Sequence, residues 1–124
     1  MIKILLSIFL GGGLGSVCRY ILGLGISRIL PTVGFISTFG VNVIGSFIIG
    51  ALWASPFISS KPMFVGMLIV GFCGGFTTFS SFSWESFNLI KQGEIGMFFI
   101  YSIASVIVCL LATWGGYALT KAIT

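Results

Sequence analysis

The sequence predicts an all-α membrane protein with four transmembrane helices in each chain. Only 6% of the 124 residues are charged and 57% are hydrophobic, whereas about 25% of the residues in a soluble domain are charged. The few charges are separated by apolar runs, and a membrane-spanning helix needs about 20 such residues. We therefore expect a single four-helix transmembrane domain over residues 1–124.

Four helices follow from the positions of the charges and of the residues that interrupt helices. Pro31 and Pro56 lie in connections, as do the segments SSKPM and KQGE, because proline and clusters of small polar residues mark loops. The expected helices cover, in chain order, roughly residues 3–27, 33–54, 63–90 and 95–120. The short KQGE turn predicts that the third and fourth helices form an antiparallel hairpin. Glycine pairs four residues apart in the first and third helices indicate close helix packing.

The residue inventory argues against an enzyme and against a nucleic-acid-binding surface. The chain has no histidine, two acidic residues and three cysteines, and the cysteines are far apart in sequence, without a metal-binding spacing. Acid–base or metal-assisted catalysis therefore has almost no residues to use. The net charge of +4 comes from single basic residues and not from a basic run, so membrane lipid and not nucleic acid is the expected partner.

Basic residues are nearly balanced between the two sides of the predicted bundle. With four helices, both termini and the connection between the second and third helices share one side, which carries three lysines. The other side carries Arg28 and Lys91, and Arg19 lies within the first helix near that side. An excess of Lys and Arg on cytoplasmic loops normally fixes the orientation. The near balance favours insertion in both orientations, so the chain could pair antiparallel with a second copy of itself.

Polar or small residues recur at every fourth position in the second and fourth helices and so form one face of each. The residues on these faces are Thr38, Asn42, Ser46 and Gly50 in the second helix, and Tyr101, Ser105, Cys109 and Thr113 in the fourth. Such faces serve either in helix packing or as donors to a passing ion, and a buried amide needs partners in both cases. Arg19 also has two interpretations: it reaches the membrane interface, or it lies at the mouth of a vestibule that attracts anions.

The third helix contains the polar segment GGFTTFSSFSWE. Two glycines followed by a run of threonine and serine weaken a helix, so we expect a break inside the membrane whose freed carbonyls can face a cation. Phe79 and Phe82 lie three residues apart on one face, and aromatic ring edges are electropositive. Together with the hydroxyls of Thr78 and Ser81 they favour a path for a small anion; the alternative is aromatic core packing. Glu85, just beyond, is expected at a membrane interface or capping a helix end.

Three segments stand in a characteristic order and spacing: GGGLGSVCRY (11–20), STFGVNVIGSFIIG (37–50) and GFCGGFTTFSSFSWE (71–85). Together they resemble the Fluc (CrcB) family of small bacterial fluoride ion channels. The resemblance implies a dual-topology, antiparallel homodimer in the bacterial inner (plasma) membrane that mediates passive, selective fluoride export. It also implies a sodium ion at the dimer interface.

The resemblance further implies roles for individual residues. Main-chain carbonyls hold the sodium ion, and phenylalanine rings and polar side chains line the fluoride pore. The residues at the matching positions are Gly74 and Thr77 for sodium, Arg19 for the vestibule, and Phe79, Phe82, Asn42, Ser81, Tyr101 and Ser105 for the pore, to which we add Thr78. Three positions depart from the family pattern: Ser37 replaces a glycine, Ser81 the commoner threonine, and Cys109 a serine.

The residues alone leave two other functions open. A small multidrug-type transporter needs a membrane-embedded acid that exchanges protons with a cationic substrate, and the first helix has none. A structural or assembly subunit would use the polar faces only for helix contacts. A heterodimer also remains an alternative to the homodimer.

Overall fold

The computed structural model describes residues 1–124, and the chain is helical apart from short connections. The helices, labelled in chain order, are α1 (Ile2–Ile29), α2 (Ile36–Ala54), the one-turn α3 (Pro56–Ser59), α4 (residues 62–76), α5 (Phe79–Lys91) and α6 (Ile95–Ile123). Four segments are long and apolar enough to cross a membrane, and α4 and α5 together make the third of them. The four predicted spans are therefore confirmed, with bounds that differ from the expected ones by at most three residues.

Two prolines and one glycine set the ends of the shorter elements. Pro56 opens α3 and Pro62 opens α4, positions at which the missing N–H of proline costs no helical hydrogen bond. Gly93 lies between α5 and α6 with a φ of +76°, a conformation that glycine adopts without the steric cost of a Cβ. The chain reverses at this turn, and α5 and α6 pack together as the predicted hairpin.

α4 differs from a regular helix along most of its length. Its middle part, Val65–Cys73, is π-helical, between the α-helical segments Pro62–Phe64 and Gly74–Phe76. The sequence did not predict this stretch, which is unusual because π-helix is mostly found as single turns, frequently at functional sites. The helix then stops, since Thr77 and Thr78 have extended backbones with ψ of 157° and 114°. The predicted break in the third span is confirmed.

Glycines bring the backbones of neighbouring helices into contact. α1 packs along α4, where a Cβ at Gly15 would overlap the carbonyl oxygen of Phe72. α2 packs along α6, where a Cβ at Gly50 would overlap the carbonyl oxygen of Thr113. Small residues permit this approach in membranes, where close packing drives helix association. Only 16 of the 124 residues are buried within the chain, so most large apolar side chains point outwards, as a lipid environment allows.

We predict that Gly15→Ala destabilises the chain by about 1–3 kcal/mol, the usual cost of overpacking. The new Cβ meets backbone atoms of α4, which cannot move aside as a side chain can. Gly13→Ala is the matched control on the same helix, because a Cβ at Gly13 meets nothing within 4 Å. Thermal unfolding of both variants in detergent measures the difference. Equal Tm values for the two variants would contradict this packing of α1 on α4.

Candidate functional site

The break between α4 and α5 is held by a side chain from α2. The Asn42 Nδ2 donates to the carbonyl oxygen of Thr78 at 3.0 Å, and the Thr78 N–H donates to Asn42 Oδ1 at 2.8 Å. Thr78 also caps α5, because its Oγ1 accepts a hydrogen bond of 3.2 Å from the Ser81 N–H. A threonine with an extended backbone at this position is a favourable N-cap. The extended residue is therefore tied to both α2 and α5.

These bonds redirect two amides that a continuous helix would use otherwise. In an unbroken helix the N–H of residue i bonds the carbonyl of residue i−4, so Thr78 would bond Gly74 and Ser81 would bond Thr77. Both N–H groups instead bond side chains, and the carbonyls of Gly74 and Thr77 lose their helical donors. Gly74 also faces open space, since a Cβ there would meet nothing within 4 Å. Carbonyls freed in this way can coordinate a small cation.

Arg19 points into the protein towards the break. Its Nε donates to the carbonyl oxygen of Gly75 at 3.0 Å, so the guanidinium lies at the C-terminal end of α4, where a positive charge complements the helix dipole. The side chain is half-buried. This inward contact does not fit the first interpretation of Arg19, in which the side chain reaches outwards to the membrane interface.

Thr78 lines two cavities. The smaller, of about 250 Å³, contains Arg19 and the hydroxyls of the break, and its polar lining includes Arg19, Ser37, Thr38, Thr78 and Ser81. The larger is an open cleft of about 610 Å³ between α2, the broken span and α6. Its lining includes Asn42, Ser46, Gly74, Thr77, Thr78, Phe79, Phe82, Ser105 and Cys109. Most of the residues predicted for the site thus lie along one or both cavities.

Aromatic rings form one side of the open cleft. The ring centroids of Phe79 and Phe82 are 5.5 Å apart, with their planes at 41°. Phe82 in turn lies 5.1 Å from the ring of Tyr101, at 55°. Phe79 is 77% exposed in the isolated chain, so its ring is not part of a packed core. The two phenylalanines share one face of α5, as their spacing predicted.

Glu85 occupies a position that the sequence did not predict. Its carboxylate accepts a hydrogen bond from Thr38 Oγ1 at 2.6 Å and one from the Tyr101 hydroxyl at 2.7 Å. It lies in the second turn of α5, so of the two expectations the cap at a helix end is wrong, and the place at a membrane interface stays a prediction. A carboxylate within a membrane span needs partners, and the polar faces of α2 and α6 supply them. One signal pointed to this arrangement: Glu85 is the only acid within the predicted spans.

The polar side chains of the predicted pore divide into engaged and free groups. A hydroxyl has a single proton to donate, and Tyr101 gives its proton to Glu85. Neither Tyr101 nor Glu85 lines the cleft. Ser105, one turn further along the same face of α6, lines the cleft, and its buried Oγ has no hydrogen-bond partner within the chain. Thr113 bonds the carbonyl of Cys109 on its own helix. Ser105 is therefore the free donor on this face.

Freed carbonyls, free hydrogen-bond donors and aromatic edges around a break within the membrane can hold small ions but offer no catalytic pair. The fold and the site together define a small α-helical membrane protein of the ion-transporting class. A family model described as "CrcB-like protein, Camphor Resistance (CrcB)" matches residues 6–117. The chain belongs to this family.

Relatives that carry one shared name match almost the whole chain. One from Gloeothece citriformis, named a fluoride-specific ion channel FluC, is 43% identical over 98% of both chains. Proteins of the same name from Phocaeicola vulgatus and Geotalea daltonii are 45% and 40% identical, each over 92% of this chain and 95% of the relative. These relatives are ion channels, a class of protein that is not enzymatic.

Proposed function

We propose that this chain is a fluoride-specific ion channel that exports fluoride passively and lowers its cytoplasmic concentration. The observation that carries the proposal is that one residue, Thr78, lines both the Arg19 cavity and the phenylalanine-lined cleft. Together the two cavities give a donor-lined route past the break. The names of relatives that match almost its full length support the choice of anion.

The proposed route offers fluoride a sequence of partners that replace its water. The positive charge of Arg19 attracts the anion into the smaller cavity, and the hydroxyl of Ser81 follows, since the Thr78 hydroxyl donates its own proton to Ser81 Oγ at 3.2 Å. Asn42 has two amide hydrogens and its Nδ2 makes one hydrogen bond within the chain, to Thr78, so one hydrogen remains for an ion. Beyond it lie the edges of Phe79 and Phe82 and the free hydroxyl of Ser105. Selectivity then follows from how well these partners replace hydration.

We predict that purified protein in liposomes releases fluoride rapidly without a proton gradient and retains chloride. Phe82→Ile should lower the fluoride rate at least about tenfold, because an aliphatic side chain has no electropositive ring edge to offer the anion. Phe99→Ile is the matched control, since Phe99 is 55% exposed on α6 and lies outside both cavities. A fluoride-selective electrode measures the efflux.

The same liposomes distinguish the other two functions. Proton-coupled uptake or release of a cationic dye, with no fluoride flux, would indicate a transporter. No transport of any ion or dye by correctly folded protein would indicate a structural subunit. Equal fluoride rates for Phe82→Ile and Phe99→Ile would contradict the role of the phenylalanine ring.

We also propose that a sodium ion binds the carbonyls of Gly74 and Thr77. Both carbonyls have lost their helical donors, and Gly74 lies on an open face of the chain. Oxygen ligands from unwound backbone are typical of sodium sites in membrane proteins. One chain supplies two carbonyls, so a second copy related by a two-fold axis would complete a set of four.

We predict that sodium raises the Tm of the detergent-solubilised protein relative to N-methylglucamine at equal ionic strength. Sodium at about 100 times its dissociation constant would add about 2.7 kcal/mol. Asn42→Leu should reduce this effect, because it releases the clamp that turns the Thr78 amide away from Gly74. Ser46→Ala, one turn along the same face and with no hydrogen bond through its side chain, should keep it. Identical Tm values for the unmodified chain in both salts would contradict the sodium site.

We propose that two copies pair antiparallel in the bacterial inner membrane. The open cleft exposes polar groups, including freed carbonyls, and lipid cannot satisfy such groups within a membrane. A second copy is the occupant we favour, because Gly74 and Phe79 lie exposed at the cleft and the balanced charges favour both orientations.

We predict that reporters fused after Ile123 are found on both sides of the membrane in comparable amounts. Added positive charge in the turn at Gly93 should bias the population towards one orientation, because Lys and Arg on short loops fix topology. The reporters are a fluorescent protein and alkaline phosphatase, fused separately. Their fluorescence and enzymatic activity measure the populations of the two orientations. A single orientation of the unmodified chain would overturn dual topology. Chemical cross-linking in the membrane tests the partner: a product formed only with a second, different chain would indicate a heterodimer.

A further inference from the structure

We infer that Arg19 is a positioning residue for the break, in addition to attracting an anion. A helix ends with four carbonyls that lack helical donors, and after the last helical bond of α4, from the Thr77 N–H to the Cys73 carbonyl, these belong to residues 74–77. The Cys73 carbonyl accepts bonds from the N–H and the hydroxyl of Thr77, at 3.0 and 2.9 Å. The Gly75 carbonyl accepts the bond from Arg19 Nε. Arg19 therefore fixes one of these carbonyls, next to the Gly74 carbonyl that has lost its helical donor.

The two glycines of the break lie on opposite sides. A Cβ at Gly75 would overlap the carbonyl oxygen of Gly12 on α1 and lie 3.0 Å from Ser16 Oγ. A Cβ at Gly74 would meet nothing within 4 Å. Arg19 is on α1 as well, so its bond ties the Gly75 side of the break to α1, while Asn42 ties Thr78 to α2. The break is thus clamped from two helices.

One guanidinium serves both the break and the smaller cavity. Arginine has five N–H donors in a fixed planar arrangement, and only the Nε–H bonds the Gly75 carbonyl. Arg19 also lines the cavity that contains Thr78 and Ser81, so the four Nη hydrogens remain available to an anion there. The position of the break and the occupancy of the cavity are coupled through this one side chain.

The test separates the donor position of Arg19 from its charge. In Arg19→Gln the amide nitrogen lies the same number of bonds from Cα as Arg Nε, but the charge is lost. In Arg19→Lys the charge is kept, but the donor is displaced by one bond. Arg19→Met removes both. Hydrogen–deuterium exchange of the full chain in detergent measures protection of the amides in residues 77–81, which include the redirected Thr78 and Ser81 N–H groups.

We expect the amides of residues 77–81 to exchange about tenfold faster in the lysine and methionine variants. In the glutamine variant they should exchange within about twofold of the unmodified chain. Arg28→Gln, at an exposed arginine near the end of α1, should change nothing. The inference is overturned if the glutamine variant exchanges as fast as the methionine variant, or if the lysine variant is as protected as the unmodified chain. If the methionine variant does not fold, the comparison of the glutamine and lysine variants with the unmodified chain still tests the inference.

The inference deepens the proposed function, but exchange is measured without any transport. Absence of fluoride efflux would therefore count against the channel and leave the exchange result standing. Conversely, a channel that conducts fluoride but shows equal protection in all Arg19 variants would retain its function and lose this role for Arg19. The two failures are distinguishable.

Discussion

A backbone that leaves its helix inside a membrane must find hydrogen bonds within the protein, because lipid offers none. In this chain that constraint falls on Thr78, and the carboxamide of Asn42 meets it by bonding both the N–H and the C=O of this residue. An amide suits this task since it carries a donor and an acceptor side by side. An ionised aspartate lacks the donor, and a serine carries both functions on a single oxygen. Thr78 lines both cavities, so their geometry depends on this contact.

One turn earlier, the same face of α2 supplies a hydrogen-bond donor to Glu85. Thr38 donates to Glu85, which also accepts from Tyr101 on α6. An acid in a membrane span requires such donors, and here they join α2, α5 and α6 at one carboxylate. α2 thus holds the break through Asn42 and the following helix through Thr38. Its own position is set by the close glycine contact with α6 at Gly50.

The sequence was sufficient for the four spans and for the break. It also named Asn42, Phe82 and Ser105 as pore residues, and all three line the cleft, while their part in a pore stays a prediction. Charge spacing determines spans, and glycine with threonine weakens a helix whatever its neighbours are. A four-residue period identifies a face but not the group that this face meets. The Asn42–Thr78 pair and the environment of Glu85 depend on how the helices are rotated against each other. That rotation follows from backbone contacts between helices, which no local pattern contains.

The number of hydrogen-bond donors that have no partner within the chain links the fold to the proposed channel. Most polar side chains along the break are already engaged: Tyr101 with Glu85, Asn42 partly with Thr78, and Arg19 partly with Gly75. The free donors are then few, and those of Asn42 and Arg19 are fixed by the bond that the same side chain makes to the backbone of the break. Fixed donors cannot collapse on one another or spread to fit a larger ion. In the channel we propose, a small anion that loses its water therefore meets partners already in place, and this preorganisation favours it over an anion that would have to separate them.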